Sequence, residues 1–261
     1  MQKTTTMEKS TVLYHREGNV GIITLNRPHR LNALNGELLK TFMETLDAAR
    51  RDRDAEVIIL TGAGKSFCSG EDLKETAEGK SVATWMDEAE RLQDVQRCTL
   101  KLDKPLIAAV KGYAVGGGCE IAMSCDIRIA AESAVFGFPE TGVGLTVTNA
   151  GTKLLTHLVG LGKAKELVFT GEFIDANEAC NIGLANKVVP DDALMDETLA
   201  MAQKISRRSP MALKFSRIAI DQGMSASFEE ILELEASHLL ACALAGNEKT
   251  FVENRLKEMK K

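Results

Sequence analysis

Three consecutive glycines directly before a short acidic segment are the feature that most constrains this 261-residue chain. They lie in the stretch GYAVGGGCE, from Gly112 to Glu120, and a second carboxylate follows at Glu140, at the end of AESAVFGFPE. Glycines lack a Cβ and so let backbone N–H groups approach a ligand, and a helix beginning here adds the positive end of its dipole. The stretch therefore predicts an oxyanion hole flanked by two carboxylates, an arrangement suited to proton transfer beside a polarised carbonyl.

The composition indicates a protein that folds without disulfides. It also argues against binding to large polyanions. With 44% hydrophobic residues, 261 residues suffice to bury a large core. The formal net charge of −5 argues against a general affinity for nucleic acid or for an anionic membrane. The six cysteines form no CxxC pair, and no apolar run approaches the roughly 18 residues of a membrane span. We therefore expect a reduced, cytoplasmic protein whose polar first ten residues are frayed.

Short strand-like runs alternate with helical patterns along the first 190 residues. An amphipathic pattern predicts a helix over residues 35–51, with Leu38, Leu39, Phe42, Leu46 and Ala49 on its apolar face. Short apolar runs predict strands at 57–61, 106–110, 127–131 and 185–189. A further short helix is expected from Cys119. This alternation favours an α/β fold.

The chain changes character after Pro190, where helical patterns continue without intervening strands. Helices are predicted over roughly 192–207, 210–222 and 228–245 and from Glu248 onward, and Ser227 with Glu230 predicts a capping box. We accordingly divide the chain into a core carrying the active site (1–195) and a C-terminal helical oligomerisation region (196–261). Several apolar residues of the third helix require a partner surface, which an oligomer would supply: Leu232, Leu239, Leu240 and Leu244.

Four segments, in this order and spacing, resemble the crotonase superfamily and most closely its enoyl-CoA hydratase branch. They are NRPHRLNAL, FCSGEDLKE, KPLIAAVKGYAVGGGCEIAMSCDIRIAAESAVFGFPE and GLGKAKELVFTGEFIDANEACNIGLANKVV. The resemblance covers roughly residues 12 to 190 and continues more weakly to the C-terminus. It implies an α/β spiral of repeated ββα units with a C-terminal helical layer, assembled as a homotrimer or homohexamer. It also implies the reversible syn addition of water to a 2-enoyl-CoA thioester.

The resemblance also assigns roles to four residues. The backbone N–H groups of Glu71 and Gly117 would form the oxyanion hole for the thioester oxygen, on which charge grows as an enolate forms. Glu140 would protonate Cα, and Glu120 would act as the base that helps water attack Cβ. Relatives that only shift a double bond commonly keep a carboxylate at the position of Glu140 and lose the one at the position of Glu120, so the presence of both favours hydration.

The substrate would be bound by loops near these groups. The resemblance implies substrate contacts from Arg30, Leu31, Ser69, Asp72, Leu73, Lys74 and Gly116. Coenzyme A would arrive as part of the acyl-CoA substrate, and we expect no separate cofactor. The four histidines of the chain have no spacing typical of metal ligands, so we expect no metal either.

The chain also departs from the hydratase pattern at three points. One is Asn254, which stands in the last helix where a basic residue that meets the nucleotide phosphate is frequent, so the phosphate contact is unassigned. A small residue is usual at the position of Glu71, and a carboxylate there would lie near the acyl pocket and influence the choice of substrate. Val147 and Thr148 stand where a Pro-Gly pair is usual, which alters the wall beside the water site.

Alternative interpretations remain at this stage. An isolated Glu120 would be read as an acidic residue that stabilises a helix start, and Trp85 as ordinary amphipathic packing, although it could line an acyl pocket. TGAGKS lacks the first glycine of a phosphate loop, and GYAVGGGCEI lacks the third glycine of a dinucleotide fingerprint. Within enzymes the alternative is double-bond isomerisation or another acyl-CoA enolate reaction. Outside enzymes it is an oligomeric binding protein, including one that binds RNA.

Overall fold

The alternation of strands and helices is present in the computed structural model, which describes residues 10–77, 79–246 and 248–259. The segment that we expected to be frayed lies, up to residue 9, outside these described residues. The strands are β1 Val12–Glu17, β2 Val20–Leu25, β3 Val57–Gly62, β4 Leu106–Val110, β5 Tyr113–Val115, β6 Ile127–Ala131, β7 Val135–Gly137, β8 Ile174–Asp175 and β9 Lys187–Val189. The helices are α1 Gly36–Arg51, α2 Leu73–Ala77, α3 Val82–Lys101, α4 Gly117–Met123, α5 Gly151–Val159, α6 Leu161–Thr170, α7 Ala176–Asn181, α8 Leu194–Ser206, α9 Pro210–Gly223, α10 Phe228–Leu244 and α11 Glu248–Glu258.

The strands form two sheets that wind around one core. The larger sheet has the order β1-β2-β3-β4-β6-β9, in which only the β1–β2 pair is antiparallel. The smaller sheet has the order β5-β7-β8. An isolated bridge between Cys68 and Ala114 joins the loop after β3 to the smaller sheet. The units β4-β5-α4 and β6-β7-α5 each place one strand in each sheet before a helix, whereas β1 and β2 both belong to the larger sheet before α1. This arrangement confirms the predicted α/β fold of repeated ββα units.

The larger sheet is covered on both faces. All six residues of β3 are buried, as expected for a central parallel strand. On one face Leu38, Phe42 and Leu46 of α1 pack into the main apolar cluster. On the other face Leu194 and Ala202 of α8 pack against the sheet in a second cluster. The division between residues 195 and 196 stays a prediction.

The remaining C-terminal helices leave much apolar surface exposed. The predicted capping box of Ser227 and Glu230 is present at the start of α10. Arg217 of α9 forms an ion pair with Asp126 at 2.7 Å and so fixes this helix to the core. The four leucines that we expected to need a partner surface are between 59% and 80% exposed. Among the helices described, none is both long and apolar enough to cross a bilayer.

Two elements around the glycine motif differ from the sequence-based expectations. Helix α4 begins at Gly117, two residues before the predicted start, because the backbone turns at Gly116, whose φ of +54° favours glycine. Helix α5, which follows Glu140 in the chain, was not predicted. Its apolar pattern is short, and the TVTNAG segment at its start carries no clear signal for the beginning of a helix. Both differences place additional backbone N–H groups near the predicted carboxylates.

Candidate active site

A cavity of about 810 Å³ lies where the glycine motif, the loop before α2 and helix α3 meet. Most of its wall is apolar, with contributions from Leu34, Leu92, Val143 and Phe173. Its polar groups are concentrated on the loop at residues 69–71, the Gly116–Gly117 turn and the two carboxylates. A largely apolar cavity with a few convergent polar groups is the usual form of a small-molecule site.

Most of the predicted site residues meet at this cavity. The residues on its wall are Leu31, Ser69, Glu71, Leu73, Gly116, Gly117, Glu120 and Glu140. Arg30 and Lys74 are exposed and lie outside this lining. Asp72 is buried and pairs with Arg27 at 3.2 Å, a contact that holds together the loops at residues 27–33 and 70–73. The substrate contacts assigned to these three residues stay predictions.

Two backbone N–H groups at the cavity, those of Glu71 and Gly117, have no hydrogen-bond acceptor within the described part of the chain. Leu34 donates its N–H to the Gly70 carbonyl at 2.7 Å, and Asp72 donates to the Leu34 carbonyl at 3.2 Å. In this parallel bridge the N–H of Glu71 points to the opposite side, away from Leu34. Gly117 is the first residue of α4, so its N–H has no acceptor within the helix. Both residues line the cavity, and both N–H groups are donors suited to a ligand oxygen there.

Close packing requires two of the motif's glycines. A Cβ on Gly118 would collide with the Cys68 carbonyl oxygen, because α4 packs directly on the loop that precedes Glu71. A Cβ on Gly116 would lie 2.9 Å from Glu140 Oε1 and would press on that carboxylate. The triple glycine therefore lets α4 and Glu140 approach the same point.

Glu120 is a buried carboxylate held by backbone groups. Its Oε1 accepts hydrogen bonds from the N–H of Thr148 at 3.1 Å and of Asn149 at 2.7 Å. Burial is the main reason that its pKa is raised from 4.5 to about 7, while these N–H donors act in the opposite direction and the nearby Glu140 raises it further. Gly151 leaves the necessary space, since a Cβ there would lie 2.5 Å from Glu120 Oε1. Near neutral pH this group can therefore accept or release a proton.

Glu140 is the second carboxylate on the same cavity. It follows Pro139 in the short helical turn Pro139–Val143. Burial raises its pKa above the ordinary value. Its Oε2 is buried, and no group in the described part of the chain hydrogen-bonds to it. A buried carboxyl oxygen without a donor favours the protonated form, so this group is suited to give a proton.

The segment that departs from the hydratase pattern forms the wall beside Glu120. Val147 is buried, and Thr148 contributes one of the two N–H donors described above. Ala150 has a φ of +56°, a left-handed conformation that is uncommon for a residue with a Cβ. The Asn149 side chain is fully buried, and neither of its polar atoms has a hydrogen-bond partner within residues 10–77, 79–246 and 248–259. The altered wall thus holds the Glu120 carboxylate through its backbone.

An ionic cluster at the cavity wall was not predicted from the sequence. Lys80 contacts Glu71 Oε1 at 2.6 Å and Glu88 Oε2 at 2.7 Å, and its ammonium lies 4.7 Å from the centre of the Trp85 ring. All four side chains line the cavity, so Trp85 does contribute to its wall. The only sequence signal was the unusual Glu71, since Lys80 lies in a charged, loop-like segment with no motif of its own.

Nearly the whole chain matches a known family. The family model described as enoyl-CoA hydratase/isomerase matches residues 15–255. A short-chain-enoyl-CoA hydratase of Clostridium acetobutylicum is 42% identical over 259 residues, covering 95% of this chain and 97% of the relative. A crotonyl-CoA hydratase of Syntrophomonas wolfei is 37% identical, with 95% and 97% covered. A 2,3-dehydroadipyl-CoA hydratase of Escherichia coli is 38% identical, with 87% and 88% covered.

The fold is likewise similar to solved structures. The crystal structure of an enoyl-CoA hydratase from Bacillus anthracis superimposes with a TM-score of 0.91 at 33% identity, covering 95% of this chain and 96% of that one. An enoyl-CoA hydratase from Thermoplasma volcanium gives a TM-score of 0.88 at 32% identity, with 97% and 98% covered. The similarity in sequence and in fold extends over the same nearly complete length of chain.

Proposed function

This chain belongs to the enoyl-CoA hydratase/isomerase family, and from that premise we propose that it is an enoyl-CoA hydratase. The reaction is the reversible syn addition of water to the double bond of a 2-enoyl-CoA thioester, which makes the protein a hydro-lyase. The relatives named as short-chain-enoyl-CoA and crotonyl-CoA hydratases support a short, unbranched acyl group as the substrate.

One observation carries this proposal: the buried carboxylate of Glu120, the half-buried carboxylate of Glu140 and two backbone N–H groups without an acceptor among the described residues converge on a single cavity. Glu120 and Glu140 both line it, as do Glu71 and Gly117, whose N–H groups point away from protein acceptors. Carboxylates that share an apolar site tend to hold one proton between them near neutral pH, because two like charges there are costly. One of the pair is then ready to act as an acid and the other as a base.

The reaction follows from this arrangement. The thioester oxygen accepts hydrogen bonds from the N–H groups of Glu71 and Gly117, which draws electron density from Cβ. Glu120 takes a proton from the water as its oxygen bonds to Cβ, and the electrons of the double bond move toward the thioester oxygen to form an enolate. Glu140 gives its proton to Cα, and the carbonyl is restored. A proton transfer from Glu120 to Glu140 then returns the pair to its starting state. Each oxyanion donor is typically worth about 3 kcal/mol of barrier.

The hydrogen bonding of the carboxylates supports this division of roles. Two backbone N–H groups donate to Glu120 Oε1, and such donors favour an ionised base. Glu140 Oε2 is buried without a donor among the described residues, which favours a protonated acid. Retention of both carboxylates argues against the isomerase alternative, and the net charge of −5 argues against an RNA-binding protein.

The same proposal includes the surroundings of the reaction. Coenzyme A is carried by the substrate, and no further cofactor or metal takes part. The exposed leucines of α10 support assembly as a homotrimer or homohexamer, because isolated apolar faces of this kind are usually covered by a partner. The unpaired state of all six cysteines is consistent with a cytoplasmic location.

The test is a panel of 2-enoyl-CoA and 3-enoyl-CoA substrates of different chain length. Hydration is followed as the loss of absorbance of the conjugated thioester, and the 3-hydroxyacyl-CoA product is identified by mass. We expect rapid hydration of crotonyl-CoA. Conversion of 3-enoyl-CoA to 2-enoyl-CoA without hydration would replace the proposal by an isomerase, and binding of RNA without turnover would replace it by a binding protein. Light scattering of the same sample measures the oligomeric state.

A further inference from the structure

The Glu71 carboxylate lies beside the position proposed for the thioester oxygen. Its backbone N–H is one of the two donors, and covalent geometry keeps the side-chain oxygens of a glutamate within about 6 Å of its own nitrogen. An unpaired carboxylate there would oppose the negative charge that grows on the thioester oxygen as the enolate forms. A glutamate at this position therefore requires compensation.

The compensation is visible in the contacts of Lys80. Its ammonium contacts Glu71 Oε1 at 2.6 Å and Glu88 Oε2 at 2.7 Å. Thr76 also donates to Glu71 Oε1, at 2.9 Å. The Lys80 side chain is only 8% exposed, so water screens these contacts weakly. Although burial acts to lower the pKa of Lys80, the hydrogen bonds with Glu71 and Glu88 leave it raised, and the ammonium remains charged.

The contacts of Lys80 also restrain the Glu71 backbone. Lys80 directly precedes the Ser81 cap of α3, whereas Glu88 lies one to two turns into that helix. The ammonium therefore joins the loop at residue 71 to the start of α3. Lys80 thus neutralises the Glu71 carboxylate and restrains its rotamer. This helps to hold the Glu71 N–H in the orientation set by the bridge to Leu34.

We propose that Lys80 is a positioning residue for the reaction: it neutralises Glu71 and holds it against α3, which allows a glutamate to carry an oxyanion donor. This inference rests on the proposed function, since it assigns Lys80 an effect on enolate formation. It predicts that the effect of Lys80 depends on the carboxylate of Glu71. A lysine with a purely structural role would show this dependence in melting temperature alone and would leave the kcat of the folded protein unchanged.

The experiment compares Lys80→Met, Lys80→Arg, Glu71→Gln, and the double variants Lys80→Met/Glu71→Gln and Lys80→Met/Glu88→Gln. Methionine retains most of the apolar stem of lysine and removes its charge. Lys187→Met is the matched control, because Lys187 forms an ion pair of the same length, 2.6 Å, with Glu197 on the surface. The kcat and KM values for crotonyl-CoA are measured, together with melting temperature and oligomeric state.

We expect Lys80→Met to lower kcat by about 10²-fold with little change in KM, because the charge pair acts on the enolate more than on the neutral thioester. Glu71→Gln should restore most of this loss in the double variant, and Glu88→Gln should restore less. Lys80→Arg and Lys187→Met should remain near the unmodified protein. An unchanged kcat in Lys80→Met, or a Lys80→Met/Glu71→Gln variant as slow as the single variant, would overturn the inference.

A second readout separates this inference from the hydratase proposal. Acetoacetyl-CoA forms an enolate that absorbs in the ultraviolet, and an oxyanion site raises the bound enolate fraction at a given pH without hydration. We expect Lys80→Met to lower this fraction and the added Glu71→Gln to restore it. A protein that stabilises the enolate in this pattern but hydrates no enoyl-CoA would retain the role of Lys80 and refute the hydratase. An enolate fraction unaffected by Lys80→Met would refute the role of Lys80 even in an active hydratase.

Discussion

Replacement of Glu120 by glutamine should abolish most of the hydratase activity and also stabilise the protein at alkaline pH. Glutamine has nearly the same shape, and its Oε1 can accept the same N–H groups of Thr148 and Asn149. It cannot take a proton from water. General acid and base groups are typically worth about 10² to 10⁴ in rate, so we expect a loss of kcat in that range.

The gain in stability follows from the raised pKa of Glu120. A carboxyl that ionises near pH 4.5 in the unfolded chain and near pH 7 in the folded protein binds more protons when folded. Ionisation of Glu120 therefore costs no stability well below pH 4.5, lowers the free energy of unfolding increasingly between pH 4.5 and 7, and has its full effect above pH 7. At about 1.4 kcal/mol for each pH unit, the penalty reaches about 3 kcal/mol at pH 8 and about 1 kcal/mol at pH 5.

The assay is thermal unfolding of the unmodified protein and the Glu120→Gln variant at pH 5 and pH 8. The free energy of unfolding of the variant should exceed that of the unmodified protein by about 2 kcal/mol more at pH 8 than at pH 5. For a chain of this size this corresponds to roughly 5 °C in melting temperature. Glu132→Gln is the control, because Glu132 is exposed on the surface, and it should show no such growth. A pH-independent difference would show that Glu120 is not a buried group with a raised pKa. Retained hydration in the variant would show that it is not the base.

The remaining predictions concern Glu140, Glu71, the charge of the substrate and the absence of a metal from the proposed reaction. Glu140→Gln should lower hydration by about 10² to 10⁴ in a protein that remains folded, and equal activity in the variant would exclude Glu140 as the acid. If Glu120→Gln stays active while Glu140→Gln does not, the isomerase alternative gains. Glu71→Ala should preserve turnover of crotonyl-CoA, whereas Glu71→Pro removes the N–H donor and should lower kcat about 10²-fold or more; equal rates would locate the oxyanion donor elsewhere. Because the cluster at Lys80 holds two carboxylates and one ammonium, 2,3-dehydroadipyl-CoA should be hydrated more slowly than a neutral enoyl-CoA of similar length, and a preference for the acidic substrate in kcat/KM would contradict this charge argument. Dialysis against EDTA should leave kcat unchanged, since no step of the proposed reaction uses a metal, and a loss restored by a divalent cation would refute that expectation.

The sequence predicted those parts of the fold that depend on local patterns. The amphipathic helix α1 and the buried strands β3, β4 and β6 were found within one or two residues of their observed bounds. Apolar periodicity and short apolar runs are local properties, so a single sequence contains them. Helix α5 was missed because its apolar pattern is short and its start follows the left-handed Ala150, where no side-chain cap marks the beginning of a helix.

The predicted site was incomplete for a related reason. The glycines and both carboxylates were recognised because the chemistry requires those residue types, and Gly118 has a steric reason as well. Lys80 and Glu88 reach the site only through the packing of α3 against the loop at residue 71. An ion pair between distant segments leaves no periodic signal in the sequence. The unusual residue at position 71 indicated that something differed there, but not which side chain compensates for it.

Backbone groups hold the carboxylate of Glu120, so the site tolerates some side-chain substitutions in the segment that supplies these groups. Its hydrogen bonds come from the N–H groups of Thr148 and Asn149, and its space comes from the missing Cβ of Gly151. The side chain at position 148 is therefore free to vary without loss of the donor. Ala150, in contrast, holds the backbone in a left-handed conformation that glycine would adopt without strain. The strain persists because the surrounding structure fixes this segment between Glu120 and α5. The same segment that raises the energy of the fold thus positions the carboxylate proposed as the base, and both effects arise from one short stretch of backbone.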